Sequence, residues 1–278
     1  MMSNTSNLAG ALDFSGKHVF VAGGSSGINL AIGEAFARQG AKVTLVSRSA
    51  ERVEAAAAGL REQGADALGL SADVRDAGAI QAALATAHQA YGPIDVLISG
   101  AAGNFLAPAS GMSANGFRTV IDIDLNGTFH VLRGAHEFLR KPGAAVLNIS
   151  APQAFNPTPY QAHVCAAKAG IDMLTRVLAM EWGPDGVRIN SLVPGPIGDT
   201  EGIRRLAPSA ETLKVMEQTV PMRRLGRTDE IANMATVLCS PLASFVTGAV
   251  LTVDGGSSLL GGRDYTEAYA ASQRARAE

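Results

Sequence analysis

The chain has 278 residues, more than the roughly 100 to 200 of an average domain but within one α/β unit of about 250 residues with short tails. Hydrophobic residues make up 47% and charged residues 17%, enough apolar material for a core and too little charge for a disordered body. The net charge of −2, from 23 Lys and Arg against 25 Asp and Glu, excludes a basic field for nucleic acid or an anionic membrane.

Taken in chain order, residues 1–13 belong to no pattern. They carry no basic segment followed by an apolar run, and no later stretch reaches the roughly 18 uninterrupted apolar residues of a membrane span. Short β-branched or aliphatic runs then recur at 18–22, 42–46, 95–99, 145–150, 187–193 and 249–253. Between them lie longer segments rich in Ala, Leu, Glu and Arg, such as 28–39 and 49–63, whose apolar residues return at helical spacing. Strands that read as almost continuously apolar are buried on both faces, as in a parallel sheet covered by helices on each side. The expectation is a single-domain α/β fold, a doubly wound parallel sheet, over 14–262. A Pro- and Gly-bearing stretch at 193–221 is long enough for a substrate lid, and 263–278 form a C-terminal tail expected to be as mobile as residues 1–13. Cys165 and Cys239 are far apart and lack a C-x-x-C companion, so neither a disulfide framework nor structural zinc is expected, and the chain reads as cytoplasmic.

The run VFVAGGSSGIN at 19–29 follows a strand and opens a helix. Gly23 and Gly27 permit close backbone approach. The turn through Ser25, Ser26 and Ile28 sits where a helix N-terminus offers free N–H groups and a positive dipole end to a pyrophosphate. A strand-to-helix turn that merely uses glycine is the alternative. The ribose-reading position, about 20 residues on at the end of the second strand, lacks the acid that would accept from a 2′-OH. It carries Arg48 instead. A guanidinium matches phosphate oxygens in a bidentate way, which favours a 2′-phosphate and hence NADPH, with a solvated loop arginine as the alternative.

From these motifs the chain resembles the short-chain dehydrogenase/reductase family over about residues 14–256. The family's TGxxxGxG turn is met by Gly23 and Gly27, with Ala22 for Thr and Asn29 for the last Gly. Asp73, followed by Val74, looks like the adenine-contacting Asp. Ala101-Ala102-Gly103 resembles the NAG turn, and Pro194-Gly195-Pro196-Ile197 the PG motif beside the nicotinamide. The resemblance implies a Rossmann fold and a homo-oligomer, commonly a tetramer.

At the chemical end the pattern departs from the family's usual Asn, Ser, Tyr and Lys. Lys168 fits the family lysine, but the tyrosine position is Val164, the serine position Ala151 and the asparagine position Asp124. Without the tyrosine hydroxyl, ordinary carbonyl reduction loses its general acid. The same departure marks the peroxisomal-type 2,4-dienoyl-CoA reductases, which this chain also resembles at Gly100–Phe105, Asp122-Ile123-Asp124, Gln161-Ala162-His163 and Thr200-Glu201-Gly202. That resemblance implies NADPH-dependent reduction of an acyl-CoA, a 2,4-dienoyl thioester. Asp124 and Lys168, acting through a water, would be the proton-supplying pair. Asn104 and Phe105 are substrate-side candidates, and Arg204 and Arg205 are cations suited to the CoA phosphates.

Bland readings stand beside these. Asp124 could cap a helix, and Lys168 could lie on a solvated face. The five histidines show no H-x-x-x-H pair, so no metal is expected. Two competing functions stay open: a non-catalytic NADPH-binding protein, and a reductase of another carbonyl or enoyl substrate that uses Tyr160.

Overall fold

The computed structural model describes residues 8–207, 209–261 and 265–277. Its centre is a seven-stranded sheet. Strand β1 (His18–Ala22) pairs with β2 (Lys42–Ser47), which carries the edge strand β3 (Ala67–Ser71). On its other side β1 pairs with β4 (Val96–Ser99), and the sheet continues through β5 (Ala145–Ile149) and β6 (Arg188–Pro194) to β7 (Val250–Val253). The order is β3-β2-β1-β4-β5-β6-β7, with every pair parallel. This is the doubly wound Rossmann arrangement, whose ligand crevice opens where strand order reverses, beside β1 and β4.

The described helices are α1 (Leu8–Ala11), α2 (Gly27–Arg38), α3 (Ala50–Glu62), α4 (Ala77–Tyr91), α5 (Ala114–Ile121), α6 (Gly127–Ala135), α7 (Ala162–Trp182), α8 (Glu201–Leu206), α9 (Ala210–Thr219), α10 (Thr228–Cys239) and α11 (Thr266–Ala277). Alternate residues of each strand face opposite cores. Val19 and Val21 of β1 join Val43 and Leu45 under Ile32 and Phe36 of α2 and Ile231 of α10. Phe20 and Ala22 face the other way, into a core with Ile80 and Leu84 of α4, Val131 and Leu132 of α6, and Trp182 of α7. Local signals set the helix starts: Ser49 accepts from Arg52 N–H at α3, and Asp76 accepts from Gly78 and Ala79 N–H at α4.

Six of the seven strands coincide with the apolar runs; β3 does not. Its Ala-Leu-Gly-Leu-Ser sequence has no β-branched residue, and as an edge strand it is only half-buried, so its apolar signal is weak. Gly69 is there for space, since a Cβ would lie 2.8 Å from Val53 O on α3.

The 193–221 stretch holds α8 and α9, with Thr200 accepting from Ile203 N–H and Ser209 from Thr212 N–H at their starts. Ile203, Ala207 and Met216 give it a small core of its own. Of the terminal segments, Leu8–Ala11 form a single helical turn, while residues 1–7 lie outside the described residues. Residues 266–277, expected as tail, form α11, whose Tyr269 ring stacks on Tyr160 at 4.9 Å.

Candidate active site

The nucleotide end is built by the turn after β1. Gly23 and Gly27 have φ of +84° and +59°, the left-handed region that glycine enters without strain. The N–H groups of Gly23 and Gly24 both donate to Val46 O, at 2.8 and 3.1 Å, so the turn hangs from the end of β2. A Cβ on Gly23 would come 2.8 Å from Ala101 N, which presses the turn against the one after β4. Ser26 precedes α2 and makes no capping bond with its side chain, while Ser25, Ser26, Gly27 and Ile28 are all at least partly exposed. First-turn N–H groups of a helix left in this way suit an anion. Asn29, standing where the family has its third glycine, extends its amide Nδ2 to Gly100 O at 2.8 Å and Gly23 O at 3.3 Å.

Arg48 is exposed just beyond β2. Asp73 is engaged by a residue the sequence reading passed over: Arg75 donates from Nη2 to Oδ2 at 2.6 Å and from Nε to Oδ1 at 3.0 Å. That hydrogen bond is the main reason the Asp73 pKa is lowered, and the Arg48 charge adds to it against desolvation. Two guanidinium groups therefore share one neighbourhood. Val74 is buried at 7% exposure; it packs where a Cβ on Gly127 would be 2.6 Å away, and its carbonyl meets His130 Nδ1 at 2.9 Å. Its side chain serves the core, leaving only backbone to a ligand.

A cleft of about 340 Å³ lies at the C-terminal ends of the central strands. Ala102, Gly103 and Asn104 line it, as do Pro194, Gly195, Ile197 and Val164. Ala101, just behind, packs against the apolar core. Asp124 and Lys168 also line this cleft. Asp124 sits in a π-helical turn, Asp122–Asn126, between α5 and α6, a distortion that in other proteins often marks functional sites. It is fully buried, accepts from Gly103 N–H through Oδ1 at 2.7 Å, and presents Oδ2 to Lys168 Nζ at 3.4 Å. Lys168, 5% exposed, also donates to Ile149 O at 3.1 Å. Neither the helix-cap reading of Asp124 nor the solvated-face reading of Lys168 survives this geometry.

Around the pair, Asn104 Oδ1 accepts from Gln161 Nε2 at 3.0 Å, and Gln161 Oε1 accepts from Gln153 Nε2 at 2.8 Å. Phe105 is 40% exposed and meets the buried His163 ring edge-on at 4.3 Å; burial pushes the His163 pKa down. Arg204 is exposed on α8, whose Gly202 and Ile203 face the cleft, and the side chain of Arg205 lies outside the described residues. Tyr160 is committed elsewhere: its hydroxyl donates to Thr266 Oγ1 at 3.4 Å, and its ring stacks on α11. Tyr265 lines the cleft with no sequence signal to announce it. Burial pushes the Cys239 thiol up to about 12, which makes it an inert core filler. Among the described residues no group of three His, Cys, Asp or Glu could hold a metal, and no helix is long and apolar enough to cross a membrane.

Residues 22–258 match a family model described as enoyl-(acyl carrier protein) reductase. Curated relatives include the peroxisomal 2,4-dienoyl-CoA reductase of Pongo abelii, 48% identical over 245 residues, covering 87% of this chain and 84% of that protein. The peroxisomal 2,4-dienoyl-CoA reductase of Saccharomyces cerevisiae is 41% identical over 252 residues, covering 89% of this chain and 86% of that one. A short chain dehydrogenase from Bacillus anthracis superposes with a TM-score of 0.80 at 36% identity, covering 89% of this chain and 97% of its own. The chain belongs to the short-chain dehydrogenase/reductase family. A dehydrogenase/reductase from Sinorhizobium meliloti gives a TM-score of 0.84 at 31% identity, covering 90% and 98%. Membership in this oxidoreductase family implies a nicotinamide cofactor, and the crevice fits one: glycine where a Cβ would block the approach of two turns, an uncapped helix start, and cations beyond β2. At position 164 the cleft wall is an apolar valine with no proton to give.

Proposed function

We propose that the protein catalyses NADPH-dependent reduction of 2,4-dienoyl-CoA thioesters to 3-enoyl-CoA, a step that unsaturated fatty acids require for β-oxidation. The observation that carries this is the buried Asp124–Lys168 pair facing a cleft whose tyrosine position is Val164. The names of the relatives, 2,4-dienoyl-CoA reductases at 41% to 48% identity, support the substrate class.

Gly23, Ser25, Ser26, Gly27 and Ile28 would hold the pyrophosphate. Ala101, Ala102, Gly103, Pro194, Gly195, Ile197 and Lys168 would hold the nicotinamide half, and Asp73 with the Val74 backbone the adenine. Arg48, with Arg75 beside it, is the basis for NADPH over NADH. When bound, the cofactor supplies a hydride to the far end of the conjugated diene. The substrate then carries negative charge on its thioester oxygen and α-carbon, and the Lys168 ammonium favours that charge. Ionised Asp124 cannot donate a proton. Its Oδ2 makes no full hydrogen bond among the described residues, so it can hold and polarise a water whose proton goes to the α-carbon.

Asn104 and Phe105 would contact the acyl part, and Arg204 and Arg205 the CoA phosphates from the lid. A homo-oligomer, with a tetramer as the expected form, is supported by an outward apolar stripe on α7, where Met173, Val177 and Met180 recur at helical spacing and Met180 is 81% exposed. Two free cysteines suit a reducing compartment such as the cytoplasm.

The test is a panel of CoA thioesters assayed with NADPH, with the product double bond located by mass spectrometry. Steady NADPH oxidation with a 2,4-dienoyl-CoA and a 3-enoyl product are expected. NADPH binding without turnover of any ester would make the protein a non-catalytic binder and refute the proposal.

A further inference from the structure

The C-terminal part of the chain closes a portion of the cleft. Ser257, Ser258 and Gly261, beyond β7, line it, as does Tyr265 immediately before α11. Tyr265 is only 7% exposed, whereas α11 brings just Tyr269 and small alanines as apolar material. That is too little for hydrophobic burial alone to fix a terminal helix. A clasp does it instead: the Tyr269 ring stacks on Tyr160 at 4.9 Å with 17° between the planes, and the Tyr160 hydroxyl donates to Thr266 Oγ1 at 3.4 Å. Asn156, which also lines the cleft, donates from Nδ2 to Ser258 O at 2.9 Å.

Tyr160 has a φ of +65°, a left-handed conformation that bulky side chains rarely adopt and that persists only where the surroundings impose it. Its carbonyl accepts from Ala107 N–H at 3.0 Å, and its neighbour Gln161 donates from Nε2 to Asn104 Oδ1 at 3.0 Å. The strained residue thus joins the 104–107 loop on one side to α11 on the other. Proton and hydride transfer make no use of this tie, and its outcome is the position of Tyr265. The cleft is about 340 Å³, near the lower end of the roughly 300 to 1,000 Å³ of small-molecule sites, and a nicotinamide ring and a diene must share it. Little space remains for a long acyl tail. The CoA phosphates are charged and belong at the exposed mouth, so the part of the substrate that meets a buried aromatic ring is apolar.

We infer that Tyr265 selects acyl length in this cleft: its ring stops the alkyl chain shortly beyond the diene, and the Tyr160–Tyr269 clasp holds it there. The inference rests on the reduction proposed above and narrows its substrates to short-chain dienoyl thioesters. Tyr265 is the specificity-determining residue, touching substrate but moving no proton. Tyr160 and Tyr269 are positioning residues that act through it. Each further methylene that finds apolar cover tightens binding about fourfold. A chain stopped by a ring loses that gain at one definite length.

Saturated acyl-CoA esters test this without turnover, by titration calorimetry in the presence of NADP+. The unmodified protein should bind decanoyl-CoA no more than about threefold tighter than hexanoyl-CoA. Tyr265→Ala should bind the longer ester at least about tenfold tighter than the shorter one, with NADPH affinity kept. Tyr265→Phe, which retains the ring, should restore the limit. Tyr269→Ala should shift selectivity the same way by a smaller factor, and Tyr269→Phe should not. A length profile in Tyr265→Ala equal to that of the unmodified protein would overturn the inference, as would an unmodified protein whose affinity climbs about fourfold with every methylene. Should Tyr265→Ala fail to fold, Tyr269→Ala decides, and unchanged selectivity there refutes the clasp. A protein that shows the length limit but reduces no dienoyl-CoA would sink the proposed reduction and leave the selector standing; one that reduces dienoyl-CoA without the limit would sink the selector alone.

Discussion

Replacing Asp124 with Asn removes a charge while keeping an acceptor for Gly103 N–H, which separates the electrostatic part of this residue from its structural part. At 3.4 Å from Lys168 Nζ, the attraction is about 5 kcal/mol at an effective dielectric constant of about 20. The desolvation of two ions costs several kcal/mol each, so the intact pair contributes little net stability. Breaking it is another matter. Lys168, 5% exposed, would be left as an uncompensated buried cation, a situation that costs about 3 to 5 kcal/mol. Urea denaturation at neutral pH should show a loss of that order. With NADPH and a dienoyl-CoA, kcat should fall by about 10² to 10⁴ while cofactor affinity is nearly kept. Full turnover by Asp124→Asn would refute the chemical role, and an unchanged stability in urea would refute the ion-pair reasoning.

Arg48→Ala should raise the NADPH KM about tenfold to a hundredfold and leave the NADH KM nearly unchanged; equal KM values for the two cofactors in the unmodified protein would remove the basis for this. Stability should also decline in acid through His18, which is 1% exposed with Nδ1 on Gly92 O at 2.9 Å and Nε2 on Thr44 Oγ1 at 3.1 Å. Burial lowers its pKa below the ordinary 6.5, so the unfolded chain takes up the proton first. Its contribution is complete above that ordinary value and is lost as pH falls through the depressed one. Denaturation midpoints measured across this window should flatten in His18→Gln, with part of the slope kept by His163, whose pKa burial also lowers.

What could be read from the chain follows from what each signal depends on. Strands buried on both faces announce themselves by composition alone, so β1, β2, β4, β5 and β6 were legible; the edge strand β7, no better buried than β3, was legible through its β-branched Val250, Thr252 and Val253, whereas β3, glycine-bearing and without a β-branched residue, was not. The turn at Gly23 and Gly27 could be read because positive φ restricts the residue type. Lys168 and Asp124 were found by their places in an ordered set of motifs. That Asp124 is fully buried in a π-helical turn, and not a cap, depends on how α5 and the turn itself pack against α7. Asn104 and Gln161, which hydrogen-bond beside the pair, are far apart in sequence, so no local spacing links them. The same holds for Tyr265 and for the stacking of Tyr269 on Tyr160, which join the end of the chain to a loop over a hundred residues earlier.

The Asn29 bridge has an evolutionary corollary. A Cβ on Gly100 would fall 2.2 Å from Asn29 Oδ1, and one on Gly23 would lie 3.0 Å from Asn29 Nδ2. Side chain and missing side chains thus occupy one shared volume across two loops. Alanine at position 100 is open to this lineage only after position 29 has shrunk, and a glycine at position 29 would release the constraint at the price of the amide tie between the loops. Substitutions at these sites should travel in a fixed order, so that the ancestry of the crevice is recorded in which of the two positions changed first.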